Sequence, residues 1–192
     1  MSVKGDLSRA KILSSARKLF AKHGWSKVTM QDICNAAGIS RGGLYRHYSS
    51  TEDIFAAIID KDETDALDFL TNAVKNEISP KAMFETFLKL RISILTNPEE
   101  CIENAISEFA INSEKGKELL QHRALNSIHI LSEMLTLGCE NGSFVCDDCN
   151  MMSRMILWSL EGIGKHNALI PLTNEQADEY IKYILRTITP SK

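Results

Sequence analysis

The chain has 192 residues, 44% of them hydrophobic and 24% charged, with a formal net charge of −3. That length buries a core without disulfide staples, and the balance excludes collagen-like, disordered and rod-like chains. Charge is uneven: residues 1–50 hold nine Lys/Arg against two acids, Asp6 and Asp32, for +7, and the remainder holds 13 basic and 23 acidic residues, for −10. A basic first quarter in an acidic chain points to one segment that meets a polyanion, with a solvated basic face as the other reading.

The predicted elements are helices throughout, without repeats or alternating β patterns. Helix one runs from about Ser8 to His23, with Ile12, Ala16, Leu19 and Phe20 at helical spacing and Gly24 as its stop. Thr29 with Asp32 forms a capping-box pattern that starts a short second helix, ended by Ala37-Gly38. Ser40 caps a third helix of about two turns, reaching Tyr48. Ser50 with Asp53 opens a long fourth helix to about Asn76. Pro80 after Ser79 and Pro98 after Asn97 look like proline in the first helical position and mark helices five and six. Helix seven covers about Glu114 to Asn141, and helix eight about Asp147 to Asn167. After the break at Pro171, Thr173 with Gln176 caps a ninth helix to about Ile188. The expected fold is all-α with about nine helices.

Helices two and three, joined by Ala37-Gly38-Ile39, fit a helix-turn-helix, whose second helix enters a DNA major groove. Groove reading needs cations and hydroxyls for phosphates, donors for base edges and aromatic bodies for the sugar-phosphate wall. Arg41, Tyr45, Arg46, His47 and Tyr48 supply these within eight residues, and Leu44, Ile33 and Ile39 would lock the two helices together. Packing of Tyr45 in a core, a helix-capping His47 and solvated arginines are the plainer readings.

The stretch Val28-Thr29-Met30-Gln31-Asp32-Ile33-Cys34-Asn35-Ala36-Ala37-Gly38-Ile39-Ser40-Arg41-Gly42-Gly43-Leu44-Tyr45-Arg46-His47-Tyr48, followed by Ser50-Thr51-Glu52-Asp53-Ile54-Phe55, resembles the TetR family of bacterial transcriptional regulators. Helix one matches the same pattern, so the detailed likeness covers about 50 residues. It implies an N-terminal three-helix DNA-binding domain, residues 1–49, and a C-terminal helical ligand-binding and dimerisation domain, residues 50–192. The implied contacts with double-stranded operator DNA are Thr29, Gln31, Ser40, Arg41, Tyr45, Arg46, His47 and Thr51. Gly43 and Thr51 stand where the family commonly has threonine and lysine. The lost lysine weakens the electrostatic term, and Gly42-Gly43 costs roughly 1 kcal/mol per glycine in helix formation. A recognition helix that is mobile without DNA is expected.

The acidic remainder is rich in large apolar groups, and the resemblance implies a small-molecule effector, largely apolar, bound among them. The candidate contacts are Phe84, Phe87, Phe109, Ile128, Met155 and Trp158, with ordinary core packing as the alternative for each. Apolar stripes on helix eight (Ile156, Leu157, Leu160, Ile163) and helix nine (Ala177, Tyr180, Ile181, Ile184, Leu185, Ile188) suit either the core or a homodimer through the last two helices.

Cys146-Asp147-Asp148-Cys149 has no second paired motif to complete a four-ligand metal site, so neither a metal nor a cofactor is expected. No nucleophile motif, phosphate loop or His-Glu-x-x-His occurs, so the chain is not expected to be an enzyme. A helical protein-binding adaptor is the other rival. No apolar run approaches the roughly 18 residues of a membrane span, and Met1-Ser2-Val3-Lys4-Gly5-Asp6 lacks a signal's apolar stretch, so a cytoplasmic protein without a membrane partner is expected. Taken together, the expected protein is a homodimeric repressor released from its operator by its effector. An activator would use the same residues.

Overall fold

The computed structural model describes residues 3–190, with side chains from Leu7 onward. Among them are nine α-helices and no strand: α1 (Val3–His23), α2 (Met30–Ala37), α3 (Arg41–Tyr45), α4 (Thr51–Lys75), α5 (Pro80–Thr96), α6 (Glu103–Asn112), α7 (Glu114–Glu140), α8 (Cys149–His166) and α9 (Asn174–Ile188). No described helix is long and apolar enough to cross a membrane.

The all-α expectation is met, and most helix starts follow local capping chemistry. Thr29, Ser40, Ser79, Asp148 and Thr173 each accept a backbone N–H from the first turn that follows them. Three boundaries differ from expectation. Helix α1 begins at Val3 rather than near Ser8. Helix α3 is one turn of five residues, and Arg46 and His47 continue it only as a turn.

The third difference is a correction: Asn97-Pro98 does not open α6. Asn97 ends α5 in an extended conformation, as the residue before a proline prefers. The Glu100 carbonyl is then taken by Arg17 (Nη1 donates, 3.1 Å), and Glu99 pairs with Lys18 at 2.7 Å. That carbonyl serves a distant guanidinium, so the segment turns and α6 starts only after the buried Ile102, without a side-chain cap.

The chain packs as two compact units. One holds the residues up to Asp62 together with Pro98–Gln121, and the other holds Glu63–Asn97 and the chain from His122 onward. Both α4 and α7 therefore contribute residues to both units. In the first unit, Phe55 meets Phe20 (4.7 Å between ring centroids) and Phe109 (5.2 Å) edge-on, and Trp25 lies 5.1 Å from Phe109. Around this aromatic centre Ile12, Ala16, Ile33, Leu44, Ile54 and Ile58 are buried, so α1 to α4 and α6 share one core. In the second unit α5 packs against both α8 and α9. Its Phe84 meets Phe144 edge-on at 5.6 Å, with Leu88, Ile92, Met134, Leu135, Ile156, Leu160 and Ile181 buried.

Candidate nucleic-acid interface

The first unit builds a helix-turn-helix from short-range chemistry. The Thr29 hydroxyl accepts the Asp32 N–H at 3.3 Å, and the Asp32 carboxylate accepts the Thr29 N–H at 2.9 Å. That closes the capping box that opens α2. The Thr29 hydroxyl also donates to the Asp32 carboxylate at 2.6 Å, and this bond first, with the one from the Thr29 N–H, holds the carboxyl below its ordinary range. At the other end Gly38 has φ 60°, and Ile39 donates to the Cys34 carbonyl at 3.1 Å. This left-handed cap needs glycine. Ser40 follows and caps α3, its hydroxyl accepting the Gly43 N–H at 3.1 Å.

On α3 only Leu44 is fully buried, and it locks the helix to Ile33 and the α1 core. Arg41 and Arg46 are exposed and their side chains have no partner among the described residues. Tyr45 is 48% exposed, which removes the core-packing reading of this residue. His47 is half-buried. Tyr48, by contrast, is a core residue: its ring is buried under the Arg9 guanidinium, 5.7 Å from the centroid.

Next to this helix, Thr29 and Gln31 are exposed on α2, with Gln31 donating to Asn35 at 3.0 Å. Thr51 is the half-buried first residue of α4. The start of α4 is fixed by Asp53, whose N–H donates to Ser50 and whose carboxylate accepts from Ser49 and, at 3.2 Å, from Lys115. Those donors, Ser49 first, keep the Asp53 carboxyl below its ordinary range. The eight residues expected at DNA thus lie on α2, α3, the caps and turn flanking them and the first residue of α4, all within one unit, and six of them are exposed.

Not all of the basic first quarter is available for phosphate. Arg17 pairs with Asp62 and with Glu100, and Lys18 with Glu99. Glu108, unremarked in the sequence, accepts the Ser26 N–H and hydroxyl, each at 3.1 Å, and so pins the loop between α1 and α2. Its partner lies 82 residues away, so no local pattern signals it.

The six residues expected at the effector are not brought together. Phe109 belongs to the aromatic core of the first unit, because α6 packs on α1 there. In the second unit Phe84 and Ile128 are buried, and Phe87 is half-buried 6.4 Å from Phe69. Met155 and Trp158 are 56% and 58% exposed on α8. A cavity of about 360 Å³ lies instead between α5 and α9, lined by Ile92, Thr96, Ala177, Ile181 and polar neighbours, with none of the six at its wall.

A helix-turn-helix with an exposed basic and aromatic second helix, carried on an all-α body, defines a DNA-binding regulator. Residues 12–58 match the family described as bacterial regulatory proteins, tetR family, and residues 67–186 match the QacR-like protein, C-terminal region. The chain belongs to the TetR family of transcriptional regulators. Similar proteins include the HTH-type transcriptional regulator QacR of Staphylococcus aureus, 27% identical over 175 residues and 86% of each chain. The HTH-type transcriptional repressor KstR2 of Rhodococcus jostii is 27% identical over 72% of this chain and 69% of its own. A TetR-family regulator from Agrobacterium tumefaciens has the same fold, with a TM-score of 0.80 at 16% identity, covering 97% of this chain and 100% of that one.

Proposed function

We propose that the protein is a homodimeric repressor, acting in the cytoplasm by binding and not by catalysis, that leaves its operator when a small, largely apolar effector occupies the second unit. The observation that carries the reading is the outer end of α3, where Arg41, Tyr45 and Arg46 stand exposed behind a capped and buried anchor. Arginines there hold phosphates or reach guanine edges, and an aromatic ring packs along the backbone wall. Thr29, Gln31, Ser40, His47 and Thr51 supply the surrounding polar contacts, with the DNA-binding domain taken as residues 1–49.

Phe84, Phe87 and Ile128 are the proposed effector contacts. An effector that shifts the second-unit part of α4 also acts on a helix whose first turn belongs to the DNA-binding unit. Half-sites in successive major grooves lie about 34–36 Å apart, so a change in recognition-helix spacing loses base contacts in both halves. Coupling of about 1–3 kcal/mol would lower operator affinity roughly 5–150-fold. The same coupling would apply to an activator, and the name of the R. jostii relative favours repression.

The test is titration of the purified protein on DNA from upstream of its own gene, beside scrambled DNA, over a range of salt. Two subunits per site, clear sequence preference and a steep salt dependence are expected. Arg46→Ala should weaken binding and reduce the logarithmic salt slope by about 1 if the guanidinium meets a phosphate. Thermal stability should stay unchanged, because the side chain has no partner to lose. Equal affinity for natural and scrambled DNA at every salt concentration would overturn the reading.

A further inference from the structure

Three thiols from the end of α7, the start of α8 and the loop between them form one cluster in the second unit. The sulfurs of Cys139 and Cys149 are 3.9 Å apart, and Cys146 is near enough that Cys149, after burial, helps push its thiol up to about 11. All three are free and partly exposed. The loop that brings them together is firmly built. Gly142 takes φ 74°, the Phe144 N–H donates to the Gly138 carbonyl at 2.9 Å, and the Val145 N–H donates to the Ile188 carbonyl at 2.7 Å. Phe144 also lies so close to α7 that a Cβ on Gly138 would fall 1.9 Å from its ring. Asp148 caps α8, accepting the Met151 N–H at 2.9 Å, and so places Cys149 as the first helical residue.

We propose that this cluster is an oxidative modification site, in which a peroxide converts Cys139 and Cys149 into a disulfide. The sulfurs must close from 3.9 Å to about 2.05 Å, a small motion for side chains held on two fixed helix ends. Among the described residues no group of three or more His, Cys, Asp or Glu side chains is placed to hold a metal, so the cluster suits cross-linking better than coordination.

The two sulfurs reach the same product whichever reacts first; Cys149, at the first position of α8, is taken as the one that meets the oxidant. Its sulfur attacks one peroxide oxygen; an S–O bond forms, the O–O bond breaks, and the departing oxygen leaves as water after taking a proton. The Cys139 sulfur then attacks the sulfenic sulfur. An S–S bond forms, the S–O bond breaks, and the Cys139 proton leaves with the oxygen as a second water. Two thiols lose two electrons and the peroxide gains them.

The experiment uses the full chain, reduced, desalted and exposed to hydrogen peroxide, with thiols counted after denaturation. The protein should lose two of its five thiols, and a dithiol reductant should restore them. No Lys or Arg lies between Arg123 and Arg154, so trypsin leaves the three cysteines on one peptide. Cleavage at Glu140 and at Asp147 or Asp148 separates them, and the cross-link should join the Cys139 and Cys149 fragments. Cys146→Ser should keep the cross-link, and Cys149→Ser should abolish it. An unchanged thiol count, a bond that maps to Cys146, or added oxygen in place of a bond would overturn the proposal. The mapping is made on the natural sequence, so it holds whether or not the variants fold, and its covalent readout is independent of DNA binding.

Discussion

Glu108 shows how much one carboxylate can organise. It accepts two hydrogen bonds from Ser26, and it fills the space beside Gly24, where a Cβ would lie 2.5 Å from its Oε1. Gly24 has φ 81°, a left-handed backbone conformation that favours glycine there. Backbone donation from Ser26 is the main reason the Glu108 carboxyl is held below its ordinary value of 4.5. Asp32 and Asp53, held low by Thr29 and Ser49, belong to the same unit. A carboxyl depressed in the folded state stabilises the fold above its unfolded pKa, and that stabilisation is lost as pH falls through the folded pKa. Unfolding by urea should therefore become easier as pH drops from the ordinary carboxylate range toward about 2. Glu108→Gln should lower the midpoint at neutral pH and flatten the acid dependence. Equal flattening by Glu175→Gln, an exposed residue of α9, would refute the assignment to these hydrogen bonds.

Helix α3, which opens the stretch proposed to face DNA, has five residues, two of them glycine. The two glycines are not equivalent. A Cβ on Gly42 meets nothing within 4 Å, whereas one on Gly43 falls 3.2 Å from the Ser40 hydroxyl that caps the helix. Gly42→Ala should stabilise α3 by roughly 1 kcal/mol, and Gly43→Ala by less. The reporters are the amides of Arg46, His47 and Tyr48, which donate to the Gly42 and Leu44 carbonyls. Hydrogen exchange at these amides should slow about fivefold in Gly42→Ala, and no slowing would show that glycine does not limit the order of this helix. Caps such as Thr29, Ser40 and Thr173 were legible in the sequence because donor and acceptor lie within three residues. The start of α6 was not, because Arg17 takes the Glu100 carbonyl across 83 residues. The same contrast runs through the sites. The residues proposed to face DNA come from one contiguous stretch, so local pattern alone places them in one unit. The proposed effector residues depend on which helices pack together, which is why Phe109 was grouped with residues of the other unit.

For the whole molecule, the sequence points to the last two helices as a dimer face, and packing reassigns which side of α8 is free. Ile156, Leu157 and Leu160 of α8, with Ile181 and Ile188 of α9, are buried within the subunit. The side of α8 left bare carries Met151, Met155 and Trp158, 50%, 56% and 58% exposed, at positions i, i+4 and i+7. One turn further on is Gly162, where a Cβ would meet nothing within 4 Å. On α9, Tyr183 is 63% exposed, with the Arg186 guanidinium 5.5 Å from its ring centroid. A stripe of two methionines and a tryptophan is costly to leave in water, and a large central aromatic is the kind of residue that dominates an interface. If a second copy covers this face, the natural protein should sediment at twice its 21.5 kDa chain mass. Trp158→Glu would then place a charge at the centre of the contact and shift the mass toward one chain at micromolar concentration. Helical content should persist, because the side chain is exposed in the single subunit. Operator binding by Trp158→Glu should weaken and lose its two-subunit stoichiometry, since one recognition helix reads only one half-site. A Trp158→Glu protein that remains at twice the chain mass would place the dimer contact elsewhere on the molecule.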